Sequence, residues 1–370
     1  MIKSILSLSV LFTISLCLFV SCGDDTDPME MFTDNFDREA MLTEWADLII
    51  IPSFERYVGS LEELNDNTEA FLTESTVENL NVLRLSYIEA YMAWQRVEMF
   101  NIGKAEEIGL MNFTNVYPTD AESIDENLST GDYNLSLPSA NDEQGFPALD
   151  YLLYGIASDE QSIIAVLTEV TASQFLTEIV DKLSNQTGIV LDDWTITFRS
   201  SFISNSGSSA TASVDKMVND FIFYYERQLR AGKIGIPAGV FSGSPIATSV
   251  EAPYSEIYSK KLFIEGFNAV QDFFIGNSSN NQTAISIKAY LDFISEQNQS
   301  ADIAMMITDQ WGIAADTFEA LSDDFGNQII EDNSKMLNTY DELQLAVVLL
   351  KVNMLQALNI QVDFIDADGD

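Results

Sequence analysis

Two acidic residues fall within otherwise apolar stretches of this sequence. Asp150 lies in GFPALDYLLYG (145–155), and Glu98 continues a helical stripe of apolar residues. A buried carboxylate is costly unless it is paired, so each of these side chains needs a partner. Carboxylates in such positions can bind cations or take part in acid–base chemistry. One structural alternative is pairing of Glu98 with Arg96 or another base at the bundle end. The other is a place for Asp150 in a first helical turn, where the helix dipole favours negative charge.

Histidine is absent from all 370 residues. This excludes the usual His-dependent serine and cysteine triads, HExxH zinc sites and any imidazole general base. A pair of aspartates as in aspartic peptidases would need a D-[ST]-G type motif on β-loops, and nothing similar is present. We therefore expect no proteolysis.

The segment around Asp150 recurs further along the chain. GFNAVQDFFIG (266–276) follows the same pattern and lies 121 residues downstream of the first copy. The first copy carries Pro147 and Asp150, where the second has Asn268 and Gln271. The repeat predicts a duplicated domain, and its asymmetry predicts one functional site per chain.

Apolar spacing predicts the elements that position these residues. An interval of three or four residues, the period of one helix face, separates Leu80, Leu83, Tyr87, Tyr91 and Trp94. The same period runs through 341–360, and convincing alternating strands are scarce. We predict an all-α fold built from packed helical bundles.

Clusters of Gly, Pro, Ser and Asn divide this helical pattern. The cluster at 205–209 is predicted to separate two helical-bundle halves, residues 36–204 and 211–370, each with one copy of the repeat. We expect a ligand in the cleft between the halves. The apolar residues of the repeat are predicted to be core residues: Phe146, Leu149, Leu152, Leu153, Phe267, Val270, Phe273 and Phe274.

The first residues of the chain have the pattern of a bacterial lipoprotein signal peptide. Lys3 precedes a mainly apolar run over 5–20, and a small-residue site ends at Cys22. This predicts a signal peptide at 1–21, lipidation of Cys22 and an acidic tether at 22–35. The expected location is the cell envelope, with a lipid anchor in the outer membrane on the cell surface or the periplasmic face. An ordinary signal peptide with an incidental cysteine is the alternative.

The chain is strongly acidic, with 58 Asp and Glu against 17 Lys and Arg and a formal net charge of −41. Such a charge repels nucleic acids and anionic headgroups, so no nucleic acid partner is expected. Solubility outside the cell accounts for much of it. Metal ions, other cations and a basic patch on an envelope protein remain candidate partners.

Several segments, in this order and spacing, resemble the imelysin family over nearly the whole chain after the signal peptide. That family is an all-helical group of bacterial envelope proteins that includes insulin-cleaving peptidases and iron-uptake lipoproteins. The segments are MLTEWADLIIIPSFERY (41–57), AYMAWQRVEMFNIG (90–103), VYPTDAESID (116–125), GFPALDYLLYG (145–155), VEAPYSE (250–256) followed by the second repeat copy, and FIDADGD (364–370).

The resemblance implies a metal site. Family members carry a motif G-x-H-x-x-E, which here retains Gly145, has Pro147 in place of the histidine and has Asp150 in place of the glutamate. Iron-uptake members add a glutamate and an aspartate, which correspond to Glu98 and Asp120. A three-carboxylate site of Glu98, Asp120 and Asp150 is therefore implied.

Two positions in this set have alternatives. Asp125 competes with Asp120 for the aspartate of the site. Pro147 also suits the first turn of a helix, where its missing N–H is not needed. Without an imidazole ligand, an all-oxygen site favours calcium, magnesium, manganese or ferric iron over zinc and copper.

The expected function is that of a non-catalytic binding component in iron or metal uptake, taking a metal ion (iron or calcium-like) or an iron-carrying ligand. One alternative is a scaffold that has lost metal binding and serves protein–protein interaction. The other is a residual peptidase.

Overall fold

The computed structural model describes residues 34–280 and 282–364. The predicted signal peptide, Cys22 and most of the predicted tether lie outside these residues. Within them the fold is all-α, as predicted, and no strand is present apart from one isolated bridge between Asn277 and Thr283. Asp34 was assigned to the tether, but it is buried and forms an ion pair with Arg38, so the packed structure includes it.

The helices are joined in several places by π-helical segments that continue the same axis. The α-helices are α1 (Arg38–Glu44), α2 (Ile51–Thr73), α3 (Val77–Gln95), α4 (Lys104–Ile108), α5 (Met111–Thr114), α6 (Ala121–Thr130), α7 (Gly145–Asp150), α8 (Glu160–Leu167), α9 (Val170–Asp193), α10 (Arg199–Ser204), α11 (Ser213–Phe223), α12 (Ile236–Ala238), α13 (Ser259–Ile275), α14 (Ile287–Asn298), α15 (Ile303–Glu319), α16 (Phe325–Val348) and α17 (Leu355–Leu358). The π-helical segments are Trp45–Ile50, Tyr151–Gly155, Trp194–Phe198, Tyr224–Gly235 and Leu349–Met354, and 3₁₀ turns occupy Pro138–Glu143 and Ala247–Ser249.

Helix α3 begins after a capping residue. Thr76 precedes it as N-cap, and its side chain accepts a hydrogen bond from the backbone N–H of Asn79. The five stripe residues from Leu80 to Trp94 are all buried, which confirms the predicted face. The helix ends at Gln95, and the following turn places Glu98 just beyond its C-terminus.

The two predicted halves share one hydrophobic core. In the first, α2 packs against α3 and α9, and in the second, α15 packs against α16. Aromatic rings connect the halves, because Phe273 lies 4.9 Å from Trp45 and 5.3 Å from Phe100 between ring centroids. The described residues accordingly form one compact unit.

The apolar core positions of the two repeat copies are buried alike, but the copies occupy different places in their helices. All eight of the predicted core residues are at most 1% exposed. Gly145 starts α7 with φ of +75°, whereas Gly266 lies inside α13. Pro147 explains the difference, because a proline is tolerated in a first turn but removes a backbone hydrogen bond from a helix interior. Pro147 thus lies in a first helical turn, as its residue type favours.

No single helix in the described ranges is both long enough and apolar enough to cross a membrane. The helices Glu160–Leu167 and Val170–Ser204 reach that length and composition only as a joined pair, and they are bent by 87° relative to each other.

Candidate functional site

A cavity of about 450 Å³ lies between the two predicted halves. Its lining is mixed, with four side-chain amides, two hydroxyl groups and both signs of charge beside the apolar residues Met111, Val116, Phe223 and Ile236. Residues 98–117 contribute one wall, and residues 223–249 contribute the other. The lining includes Glu98, Asn101, Glu106, Asn112, Asn115, Tyr117, Phe223, Arg227, Gln228 and Ser249.

Glu98 is the buried carboxylate of this lining. Its side chain reaches the cavity from the turn after α3, and the residue is 4% exposed. The Oε2 atom is buried and makes no hydrogen bond with any described residue. Burial raises the pKa of Glu98 to about 7, although the ammonium of Lys233 lowers it. Glu98 therefore retains the capacity to accept a hydrogen bond or an ion pair from a ligand.

Glu251 lies close to this cavity but is already fully paired. Its Oε1 accepts hydrogen bonds from Gln95 Nε2 at 3.0 Å and Asn115 Nδ2 at 2.8 Å, and its Oε2 lies 2.5 Å from Lys233 Nζ. Glu251 and Lys233 are each 1% exposed. A buried carboxylate can remain ionised when a cation and neutral donors surround it in this way. The Lys233 ammonium thus serves as a resident cation beside Glu98.

The first repeat copy supports the cavity wall by packing. Phe146 stacks on Tyr91 with ring centroids 4.5 Å apart, and the Tyr91 hydroxyl donates to Asn115 Oδ1 at 2.5 Å. A Cβ on Gly145 would lie 2.3 Å from the carbonyl oxygen of Thr114. Only glycine allows this close approach, which sets the position of Asn115.

Asp150 is fully buried and holds a loop. Its Oδ2 accepts a hydrogen bond from the backbone N–H of Tyr254 at 2.8 Å, and its Oδ1 accepts one from the Tyr87 hydroxyl at 3.4 Å. Burial raises the pKa of Asp150 to about 7, against the lowering effect of the Tyr254 N–H. Because Tyr254 follows Glu251 by three residues, Asp150 positions the segment that brings Glu251 to the cavity.

The structure does not bring the three implied ligands together. Asp120 is exposed and acts as the N-cap of α6, where it accepts hydrogen bonds from the backbone N–H and hydroxyl of Ser123, and these lower its pKa. Asp125 accepts a hydrogen bond from the Tyr151 hydroxyl at 2.7 Å. In residues 34–280 and 282–364, no three His, Cys, Asp or Glu side chains are grouped as they would be around a metal ion.

The first-turn place expected for Asp150 and the pairing of Glu98 with Arg96 are both wrong, although another base, Lys233, lies near enough to lower the pKa of Glu98. Asp150 is the last residue of α7, so it lies outside the first turn of that helix. Arg96 pairs with Glu265 and Asp272 instead of Glu98.

Several residues of the site were missed by sequence reasoning. Lys233 is one of only 17 basic residues, and it lies in the mainly apolar stretch AGKIGIPAG, which is a signal for a buried pair. Glu251 was part of a recognised segment, but its role depends on long-range contacts. Gln95 and Asn115 gave no sequence signal.

The chain matches the model of a known protein family and a relative of known name. The model of a family described as Imelysin matches residues 50–353. A relative from Synechococcus elongatus, named iron-regulated protein A, is 22% identical over 158 residues, which is 42% of this chain and 41% of that relative. The matched part therefore spans about two-fifths of the relative's length.

Two solved structures share the fold. An iron-regulated protein A precursor from Parabacteroides distasonis superposes with a TM-score of 0.70 at 14% identity, covering 87% of this chain and 96% of the other. An imelysin-like protein from Psychrobacter arcticum gives a TM-score of 0.62 at 17% identity, covering 90% of this chain and 98% of the other. At such identities the likeness concerns the fold alone.

Proposed function

The chain belongs to the imelysin family, and from this premise we propose that it is a non-catalytic binding component of an iron-linked process, with its ligand held in the cavity at Glu98. We further propose that it is a lipoprotein anchored through Cys22 to the outer membrane. The lipid anchor rests on the signal-peptide pattern that ends at Cys22.

The proposed binding role rests on the buried carboxylate oxygen of Glu98, which has no hydrogen bond from the described residues. A buried carboxylate oxygen without a hydrogen bond is costly in a folded protein, unless a ligand or solvent in the adjoining space satisfies it. Here the adjoining space is a cavity of about 450 Å³, a size suited to a small molecule or part of one. Glu98 is therefore the main candidate for the ligand contact.

The link to iron comes from the relatives. One relative and one structural neighbour carry the name iron-regulated protein A. The cavity supplies oxygen ligands from amides, hydroxyls and the carboxylates of Glu98 and Glu106, and its described lining has no imidazole. We infer that iron reaches this chain as part of an iron-carrying ligand.

We propose that the protein is not an enzyme because of the side chains that are present at the cavity. The sequence contains no histidine. Asp150 is occupied by the Tyr254 N–H, and Glu251 is occupied by Lys233 and two amides. A second carboxylate free to act as an acid or base beside Glu98 is not among the buried groups described at this cavity.

Retention of iron tests the proposal. The chain beginning at Cys22 would be incubated with ferric salt and, separately, with ferrioxamine B, whose free arm ends in an ammonium group. After gel filtration, elemental analysis counts the iron per chain. We expect about one iron per chain from the carrier complex, lost in Glu98→Gln and kept in Glu89→Gln, an exposed carboxylate on α3, the helix that precedes Glu98. Retention of no iron in either form would contradict the proposal.

A scaffold role without a ligand is the second candidate. It is favoured by the structural use of the implied metal ligands, since Asp120 caps a helix and Asp150 fixes a loop. The Lys233 ammonium also neutralises Glu251 without a metal. If neither iron nor any small cation binds to the cavity, this second role becomes the better account.

A further inference from the structure

The charges that line the cavity leave a single negative charge unmatched. Glu98, Glu106 and Arg227 are the charged residues of the described lining. Glu106 and Arg227 are both exposed and opposite in sign, so their formal charges add to zero. The buried pair of Lys233 and Glu251 is neutral as a unit. The ionised form of Glu98 therefore gives the cavity a net charge of about −1.

The surroundings of Glu98 call for an N–H donor. Its Oε2 has no hydrogen bond from the described residues. The side chains of Asn115 and Trp94 lie close enough to lower its pKa, but neither forms a hydrogen bond of good geometry with Oε2. A group with several N–H donors and one positive charge would supply the missing hydrogen bond to Oε2 and neutralise the unmatched negative charge.

The rest of the lining suits an organic cation better than a bare metal ion. Phe223 and Tyr117 contribute aromatic rings, which attract ammonium groups, and the ammonium of Lys233 already lies 6.0 Å from the centre of the Tyr117 ring. The amides of Asn101, Asn112 and Gln228 can bind polar parts of a ligand. A volume of about 450 Å³ is far larger than an ion needs. A ferric ion would also bring two positive charges more than this cavity neutralises.

We propose that the ligand enters the cavity with an organic ammonium group that donates hydrogen bonds to Glu98. The proposal rests on the proposed function for the location of the site, and it adds the chemical class of the ligand. An iron carrier of this class holds its iron elsewhere and docks through its amine.

Titration calorimetry with matched probes tests the ligand class. Hexylammonium and 2-phenylethylammonium are each compared with the alcohol of the same shape, hexanol and 2-phenylethanol, at pH 8. We expect each amine to bind at least about tenfold more tightly than its alcohol, because a charge-assisted hydrogen bond is stronger than a neutral one.

The variants separate the roles of the two lining charges. Glu98→Gln is expected to remove the preference for the amine. Arg227→Gln is expected to strengthen amine binding by about two- to fivefold, because it removes a nearby positive charge. Glu89→Gln is the control and is expected to leave binding unchanged. Circular dichroism of each variant verifies that it is folded.

The proposal is overturned if alcohols bind as tightly as amines, if Glu98→Gln keeps the preference, or if no amine binds at millimolar concentration. Retention of iron from ferric salt without amine binding would overturn this inference and leave the proposed function standing. Amine binding without retention of iron from any carrier would support this inference and contradict the proposed link to iron.

Discussion

Replacing Glu98 with glutamine should stabilise the protein at alkaline pH. Burial raises the pKa of Glu98 from its ordinary value of 4.5 to about 7. The folded state therefore binds a proton more tightly than the unfolded state, and the stability of the parent falls as pH rises from about 4.5 to about 7. A difference of about 2.5 pKa units corresponds to about 3 kcal/mol, which the parent has lost by pH 8.

Urea unfolding followed by tryptophan fluorescence measures this effect. Glutamine resembles the protonated acid in shape and charge, so Glu98→Gln should exceed the parent by about 1 kcal/mol at pH 5 and by about 3 kcal/mol at pH 8. Asp150 titrates in the same window, but it is present in both proteins and cancels in the difference. Glu89→Gln should match the parent at both values. Equal or lower stability of Glu98→Gln at pH 8 would refute the assignment of Glu98 as a buried, unsatisfied carboxylate.

Three further substitutions test the surroundings of the cavity by urea unfolding. Lys233→Met should cost about 3 to 5 kcal/mol, because it leaves Glu251 buried without its cation; a loss below about 1 kcal/mol would contradict the buried pair. Gly145→Ala should cost at least about 2 kcal/mol, because residue 145 has a positive φ and a Cβ there would meet a carbonyl oxygen. Gly188→Ala, in an open position on α9, should leave stability unchanged or raise it by up to about 1 kcal/mol. Equal effects of the two substitutions would contradict this difference. Asp120→Ala should cost about 1 kcal/mol through loss of the helix cap and leave ligand binding intact, and a loss of binding would restore Asp120 to the site.

The all-α fold was predictable because its signals are local. The stripe on α3 and the apolar positions of both repeat copies follow the helical period, and all of them are buried as predicted. The role of Pro147 was predictable for the same reason, since its effect on the first helical turn depends only on its own backbone.

The candidate site was only partly predictable, because its chemistry depends on contacts between distant segments. Glu98 was found from a break in an apolar pattern and from the family resemblance. Its neighbour Glu251 is 153 residues away along the chain. The hydrogen bond from Tyr254 to Asp150 likewise joins residues 104 positions apart. No periodicity within one helix can indicate such pairings.

The family resemblance also implied that Glu98, Asp120 and Asp150 form one site, but the local geometry at Asp120 does not favour this. An aspartate directly before α6 forms the helix cap that its position favours, and this turns the Asp120 carboxylate toward Ser123. In the described structure, Lys233 provides the positive charge near Glu98.

A crystal structure of the chain with bound 2-phenylethylammonium would test the central claim most directly. The account predicts the ligand in the cavity between the two halves, with its nitrogen about 2.7 to 3.0 Å from a carboxylate oxygen of Glu98. A ligand bound elsewhere, or a cavity that stays filled by solvent alone at saturating amine, would contradict it.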